Sequence, residues 1–112
     1  MTLFEKIAAR EIPARIAAES DEWIAFHDVN PQAPVHVLIV PKRVIPRLAH
    51  ATSDDAGLLG RMLLAANEIA KTLGISESGF RVVINNGRDA GESVPHLHIH
   101  LLGGRALQWP PG

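Results

Sequence analysis

Apolar positions recur along the chain with two different periods, and the changes of period outline its elements. Thr2 and Glu5 have capping-box spacing, and Leu3, Phe4 and Ile7 then supply an apolar side, which predicts a short helix closed by Pro13. Ala14 to Glu19 alternates weakly as a strand, with Arg15, Ala17 and Glu19 on one side and Ile16 and Ala18 on the other. Ser20-Asp21 has turn chemistry and Trp23 to His27 alternates again, so the two runs predict a hairpin. The prolines of Asn30-Pro31-Gln32-Ala33-Pro34 make a loop, after which Val35 to Val40 reads as an apolar strand ended by Pro41. Beyond an irregular stretch over Arg47 to Thr52, Thr52 and Asp55 repeat the capping spacing. Leu59, Met62, Leu63, Ala66, Ile69, Ala70 and Leu73 then recur at helical intervals up to Gly74. This is one long helix with a C-cap glycine, and its Met and Leu stripe reads as core. Phe80 to Asn85 predicts a further strand.

The last strand is different. In His96-Leu97-His98-Ile99-His100 the polar half of the alternation is entirely histidine. Successive side chains of an extended chain point to opposite faces, so the three imidazoles share one face while Leu97, Ile99 and Leu101 share the other. At about 3.3 Å per residue, neighbouring imidazoles are rooted roughly 6.6 Å apart, close enough to act on one small charged group. Gly103-Gly104 ends the strand, and Trp109-Pro110-Pro111-Gly112 is a stiff, extended terminus. Helix, hairpin, strand, long helix and two strands in that order predict an α+β fold, a mostly antiparallel sheet packed on one helix.

Composition narrows the chemistry. The 112 residues suit one domain, residues 1–112, and 46% hydrophobic with 21% charged residues is the balance of a globular chain. Eleven Lys+Arg against twelve Asp+Glu leave a formal net charge of −1, so no broad basic field is available for nucleic acid. Cysteine is absent, which removes disulfides, thiol catalysis and cysteine zinc motifs. Charges within Met1-Thr2-Leu3-Phe4-Glu5-Lys6-Ile7 interrupt any signal-peptide core, and no apolar run approaches spanning length, so the expectation is a cytoplasmic protein with no membrane partner.

Three readings of the histidines compete. They could be the polar face of an edge strand, although strict alternation of three argues for a site. Two imidazoles at i and i+2 could share zinc, but no Asp or Glu lies between Ser93 and Gly112 to serve as a local partner, leaving only a distant one. The third reading is phosphate chemistry, in which one neutral imidazole attacks phosphorus while neighbouring rings stabilise its oxygens. The preceding loop, Asn86-Gly87-Arg88-Asp89-Ala90-Gly91-Glu92-Ser93, supports it. Gly87 and Gly91 allow backbone amides close to a phosphate, and Ser93 can reach a leaving group.

His96-Leu97-His98-Ile99-His100-Leu101-Leu102 resembles the motif of the histidine triad (HIT) family. Ile12-Pro13-Ala14, Ala25-Phe26-His27-Asp28, Pro31-Gln32-Ala33-Pro34, His36 with Pro41-Lys42, Gly91-Glu92-Ser93-Val94 and the terminal Trp109-Pro110-Pro111-Gly112 extend the likeness over essentially the whole chain. They are similar to the histidine triad nucleotide-binding branch, which hydrolyses purine nucleoside phosphoramidates. The resemblance implies a HIT-like fold with a five-stranded sheet, one long helix and a short N-terminal helix. It implies that His98 is the nucleophile that takes the nucleotidyl group, that His96 and His100 donate to phosphate oxygens, and that His36 orients His100. By the same resemblance Asp28 accepts the ribose hydroxyls, and Phe26, Val29, Leu3, Phe4 and Ile7 wall the base pocket. Asn85 and Ser93 stand near the α-phosphate and the departing group, with Gly91 and Val94 in the same nucleotide-binding stretch.

Plainer roles stand beside these: Phe26, Leu3, Phe4 and Ile7 also read as core, Asp28 as a turn residue and Asn85 as the close of its strand. His27 reads as structural and His50 as a solvated surface residue. Val44 stands where many relatives have another histidine and Asn86 where an acidic residue is expected. The expected protein is a hydrolase that releases an amine and AMP, or another purine nucleoside monophosphate, without metal or cofactor. The resemblance also implies a homodimer with the Trp109 tail near its partner's site. The rivals are a dinucleoside polyphosphate hydrolase or nucleotidyl transferase and, from a different class, a non-catalytic nucleotide-binding scaffold.

Overall fold

The computed structural model describes residues 1–112 and begins with the capped turn that the first residues encode. Helix α1 (Leu3–Ala8) carries the whole capping box: Thr2 Oγ1 accepts from the Glu5 N–H at 3.1 Å, and the Glu5 carboxylate accepts from the Thr2 N–H at 2.8 Å. The helix stops at Ala8, well before the expected closure at Pro13. Arg10, left-handed at φ 62°, closes it, with the Arg10 N–H on the Ile7 carbonyl and the Glu11 N–H on the Lys6 carbonyl. No glycine marks this closure, so the pattern of the chain carried the helix too far.

Strands β1 (Ile16–Glu19) and β2 (Trp23–His27) form the expected antiparallel hairpin, but a bulge changes its faces. Ile16 pairs with Phe26 while Ala18 pairs with Ala25, one residue out of step. Ile16 therefore packs with Phe4 and Phe26 while Ala17 and Ala18 pack on the opposite side of the sheet, contrary to simple alternation. Strand β3 (Val35–Pro41) follows, then a 3₁₀ turn over Leu48–His50 inside the stretch expected to be irregular. A second 3₁₀ turn, Ser53–Asp55, holds the Thr52–Asp55 capping pair and feeds helix α2 (Ala56–Thr72). Gly74, at φ 77°, closes α2 through the Ile75 N–H on the Ala70 carbonyl. Leu58 and Ala65 are buried on α2, whereas Leu63 is 47% exposed, so the core face is rotated slightly from the expected stripe.

Strands β4 (Phe80–Val83) and β5 (Ile99–Gly103) complete a five-stranded antiparallel sheet of order β1-β2-β3-β5-β4. Both are shorter than expected: β4 ends before Asn85, and the β5 ladder begins only at Ile99. His96 and His98 still pack against the sheet as buried, non-laddered chain, anchored by the Leu97 N–H on the Ile45 carbonyl.

Alternation on β2, β3 and the histidine segment divides the protein into layers. Ala25, Val37, Ile39, Leu97, Ile99 and Leu101 face α2 in one core. Ile24, Phe26, Leu38 and Val40 face the other way and join Phe4 and Ile7 of α1 in a second. Because β3 is covered on both faces, it reads as a continuous apolar run. His36, two residues before Leu38, falls on the α1 side, the side on which the histidines gather. No helix is long and apolar enough to cross a membrane.

Candidate active site

Backbone groups of unambiguous character fix the protonation pattern of all four clustered imidazoles. The Gln32 N–H donates to His36 Nδ1 at 3.0 Å, so neutral His36 carries its proton on Nε2. That N–H donates to His100 Nδ1 at 2.9 Å, which leaves the proton of neutral His100 on its other nitrogen. His98 Nδ1 lies 2.7 Å from the His96 carbonyl and must donate to it, so neutral His98 presents an unprotonated Nε2. His96 Nε2 donates to the Pro41 carbonyl at 2.7 Å, and its Nδ1 accepts from the Thr2 hydroxyl at 2.7 Å.

The outcome differs from the expected symmetric triad. His98 and His100 stand with ring centroids 5.0 Å apart, the first with a free lone pair and the second with a free N–H. His96 has both nitrogens engaged and is 1% exposed. The expected donation from His96 to a phosphate oxygen is therefore not what this arrangement offers; its ring is tied down and its carbonyl steers His98. The expected pairing of His36 with His100 is present, with ring centroids 5.2 Å apart.

Burial opposes charging His36, His96 and His100. Desolvation pushes His100 down to about 4, helped by the charges of His98 and His36 and opposed by Asp28. Burial likewise lowers His36 against the pull of Asp28, and lowers His96 against the Pro41 carbonyl and Glu5. A ring held neutral keeps the tautomer that its partners select.

Asp28 follows β2. Its Oδ1 accepts from the Asn30 N–H at 2.9 Å, the turn role anticipated for it, and Oδ2 lies 3.5 Å from His36 Nε2. Asp28, His36 and His100 each offer a ligand atom, all within 4.8 Å of one another. The set does not suit a metal ion as it is bonded, because His36 Nε2 holds the proton that its bond to Gln32 requires, and a ligating nitrogen must give that proton up.

Beside the imidazoles a cavity of about 360 Å³ opens between α1 and the sheet, walled by Leu3, Phe4, Ile7, Phe26 and Leu38, with Asp28, Val29 and Ser93 also lining it. Phe4 is the partition: its ring lies 5.0 Å from that of His98 and 5.5 Å from that of Phe26. Phe4, Ile7 and Phe26 are at once core and cavity wall, so the two readings of those residues are compatible. Val29 is 96% exposed and lines the opening without being enclosed. Val94 packs beside the α1 core, and Ser93 is exposed at the cavity edge. The β4–β5 register pairs Val83 with His100, and two further steps would bring half-buried Asn85 opposite His98.

The glycine loop is fastened through Arg47 and Glu92, side chains for which the motif suggested no role. Arg47 donates twice to the Glu92 carboxylate, both at 2.9 Å, and the Gly87 N–H adds a third bond at 3.0 Å. Arg47 and the Gly87 amide hold Glu92 down to about 2. Asn86 Oδ1 accepts from the Ala49 N–H at 2.7 Å, so the start and the end of the loop are both tied to the Leu48–His50 turn. Gly87 and Gly91, at φ 86° and 80°, take conformations that a side chain would strain. The only signal for this clamp in the sequence was one carboxylate beside Ser93, far along the chain from its arginine.

A sheet of this order, with imidazoles ranked beside an apolar cavity, defines the class, and the chain belongs to the HIT family: the HIT domain model matches residues 9–107. It is similar to an uncharacterized HIT-like protein of Synechocystis, 58% identical over 111 residues that cover 99% of this chain and 96% of that one. Among solved structures it resembles a HIT family hydrolase from Legionella pneumophila at TM-score 0.98 and 46% identity, with both chains fully covered. A histidine triad nucleotide-binding protein from Candida albicans matches at TM-score 0.83 and 32% identity, over 98% of this chain and 83% of that one.

Proposed function

We propose that the protein hydrolyses nucleoside 5′-phosphoramidates, releasing an amine and AMP or another purine nucleoside monophosphate. The observation that carries this is the His98 ring: its Nδ1–H is held by the His96 carbonyl at 2.7 Å, leaving Nε2 as a free lone pair beside the N–H of His100. That pair suits attack on a phosphorus whose oxygens gain negative charge. The base enters the apolar cavity under α1, the ribose hydroxyls meet Asp28, and the phosphate lies between His100 and the clamped glycine loop. His98 Nε2 bonds to phosphorus as the P–N bond breaks, and the departing nitrogen takes a proton through Ser93 or water. Water then attacks the same phosphorus, its proton replacing the one the amine took through Ser93 or solvent, while the P–Nε2 bond breaks and the lone pair returns to His98. No metal takes part. The hydrolase from Legionella and the nucleotide-binding protein from Candida, similar over most of their lengths, favour a nucleotide hydrolase within the family.

The homodimer belongs to the same proposal. Strand β4 ends the sheet with its outer edge unpaired, which suits continuation by a second copy. Arg81 ties the tail to β4 through the Gln108 carbonyl at 2.9 Å, and Trp109 beyond it is 82% exposed, free of its own domain and available to a partner.

Adenosine 5′-phosphoramidates with a good leaving amine test the chemistry, with diadenosine polyphosphate as the competing substrate. Rapid acid quench and mass spectrometry should find the nucleotidyl group on His98, and His98→Ala should bind AMP without turnover. An adduct on His96 or His100, full activity in His98→Ala, or faster turnover of the polyphosphate would overturn the proposal.

A further inference from the structure

We infer that Thr2, the N-cap of α1, is a positioning residue for His98, acting through His96. One hydroxyl serves two structures. Thr2 Oγ1 accepts the Glu5 N–H that begins α1, and its own proton goes to His96 Nδ1 at 2.7 Å. Because the Pro41 carbonyl already claims His96 Nε2–H, Nδ1 of the neutral ring can only accept, and Thr2 is the donor that meets it. The His96 ring is thus pinned at both ends, which fixes its side-chain torsions and restrains the residue that carries them. Its carbonyl in turn accepts His98 Nδ1–H, the bond that sets both the tautomer and the direction of the His98 lone pair. His96 lies in chain that no ladder holds, the β5 ladder beginning only at Ile99; the Leu97 N–H on the Ile45 carbonyl anchors its peptide, and the two side-chain bonds add the hold on its ring.

The arrangement also links the cavity to the reacting ring. Leu3, Phe4 and Ile7 of α1 line the cavity, and the Phe4 ring touches both His96 and His98, with centroids 5.6 and 5.0 Å away. The helix that meets the base is therefore the helix that holds the histidine segment. Glu5 and His98 are the titratable groups whose charges act on His96, and Glu5 is itself occupied by the capping box.

The inference rests on the function proposed above for its kinetic consequence alone; the hydrogen-bond relay can be read without any substrate. Three variants separate capping from donation. Thr2→Ser keeps both. Thr2→Asp keeps the helix cap but offers His96 an acceptor in place of a donor. Thr2→Val removes both. In histidine-labelled protein, ¹⁵N spectra at pH 7 should show His96 with Nε2–H alone in wild type and Thr2→Ser. Thr2→Asp should show both His96 nitrogens protonated, and Thr2→Val a weakened Nδ1–H signature at His98. With an adenosine phosphoramidate, kcat should fall about fivefold in Thr2→Asp and Thr2→Val, the factor one net hydrogen bond carries, with KM little changed and Thr2→Ser near wild type. Unchanged His96 and His98 resonances in Thr2→Asp and Thr2→Val would overturn the inference. So would a rise in KM at constant kcat, the mark of a damaged cavity wall. If wild type releases no amine, the proposed function fails while the spectra still decide the relay.

Discussion

Removing His36 should show how much of the site depends on a residue that never faces the open cavity. His36 is buried and carries two bonds, accepting from the Gln32 N–H at 3.0 Å and donating to His100 Nδ1 at 2.9 Å. His36→Leu fills a similar space and deletes both. Two neutral hydrogen bonds at about 1 kcal/mol net each give a loss of about 2 kcal/mol, with a further cost of ~1–3 kcal/mol if His100 Nδ1 is left unpaired. At ~4 °C per kcal/mol for a domain of this size, thermal unfolding should fall by about 8 °C or more. The catalytic loss has a ceiling, since deleting a transition-state donor outright costs about 10² to 10³ in kcat, and His36→Leu misdirects His100 without deleting it. A kcat loss of about tenfold to a hundredfold is expected, with KM for the nucleotide moved less. His36→Gln, whose amide can accept from Gln32 and donate to His100, should recover part of both losses. Wild-type kcat in His36→Leu at temperatures where it is fully folded would refute the relay from Gln32 through His36 to His100.

Asp28→Asn preserves the acceptor for the Asn30 N–H, so folding should hold, while ribonucleotides lose about 10- to 150-fold in affinity and deoxy analogues much less, a charged acceptor being worth ~1.5–3 kcal/mol. Equal losses for the two sugars, or no loss for either, would refute a contact between Asp28 and the ribose hydroxyls. Exhaustive chelation should leave amine release unchanged, and activity lost to chelator and restored by zinc would contradict the assigned proton on His36 Nε2. Light scattering at micromolar concentration should give a dimer, and Trp109→Ala should alter selectivity for the leaving amine without dissociating it; a monomer would sink the edge-strand pairing. His100 has an ordinary value of 6.5 and is pushed down to about 4, so between these pH values the unfolded chain binds a proton that the folded one refuses. Denaturant stability should therefore fall as pH drops through that window, and His100→Gln should flatten the slope, with His36, His96 and His27 shifted in the same direction and supplying the remainder.

What the chain determined by itself was local. The capping pairs Thr2–Glu5 and Thr52–Asp55, the glycine after α2, the hairpin and the shared face of the histidines all depend on residues within a few positions of one another, where propensity and period act directly. The same locality explains the misses. Arg10 closes α1 by a conformation its residue type does not advertise, and the bulge between Ile16 and Ala18 reverses an alternation that a uniform period assumes.

The division of labour among the imidazoles is another matter. His96, His98 and His100 occupy equivalent places in the sequence pattern, yet one is bonded at both nitrogens, one is left with a lone pair and one with an N–H. The His98 bond is local, to a carbonyl two positions back, but Thr2 and Pro41 reach His96 from 94 and 55 positions away and His36 reaches His100 from 64. The glycine loop is likewise shaped by an arginine 45 residues from its carboxylate. A histidine's tautomer is set by whichever donor or acceptor reaches its nitrogens, and here the partners of His96 and His100 are assembled only when α1, β3 and the histidine segment pack against one another. The sequence could thus say where the imidazoles stand in a row, while folding decides which of them holds a proton, and on which nitrogen.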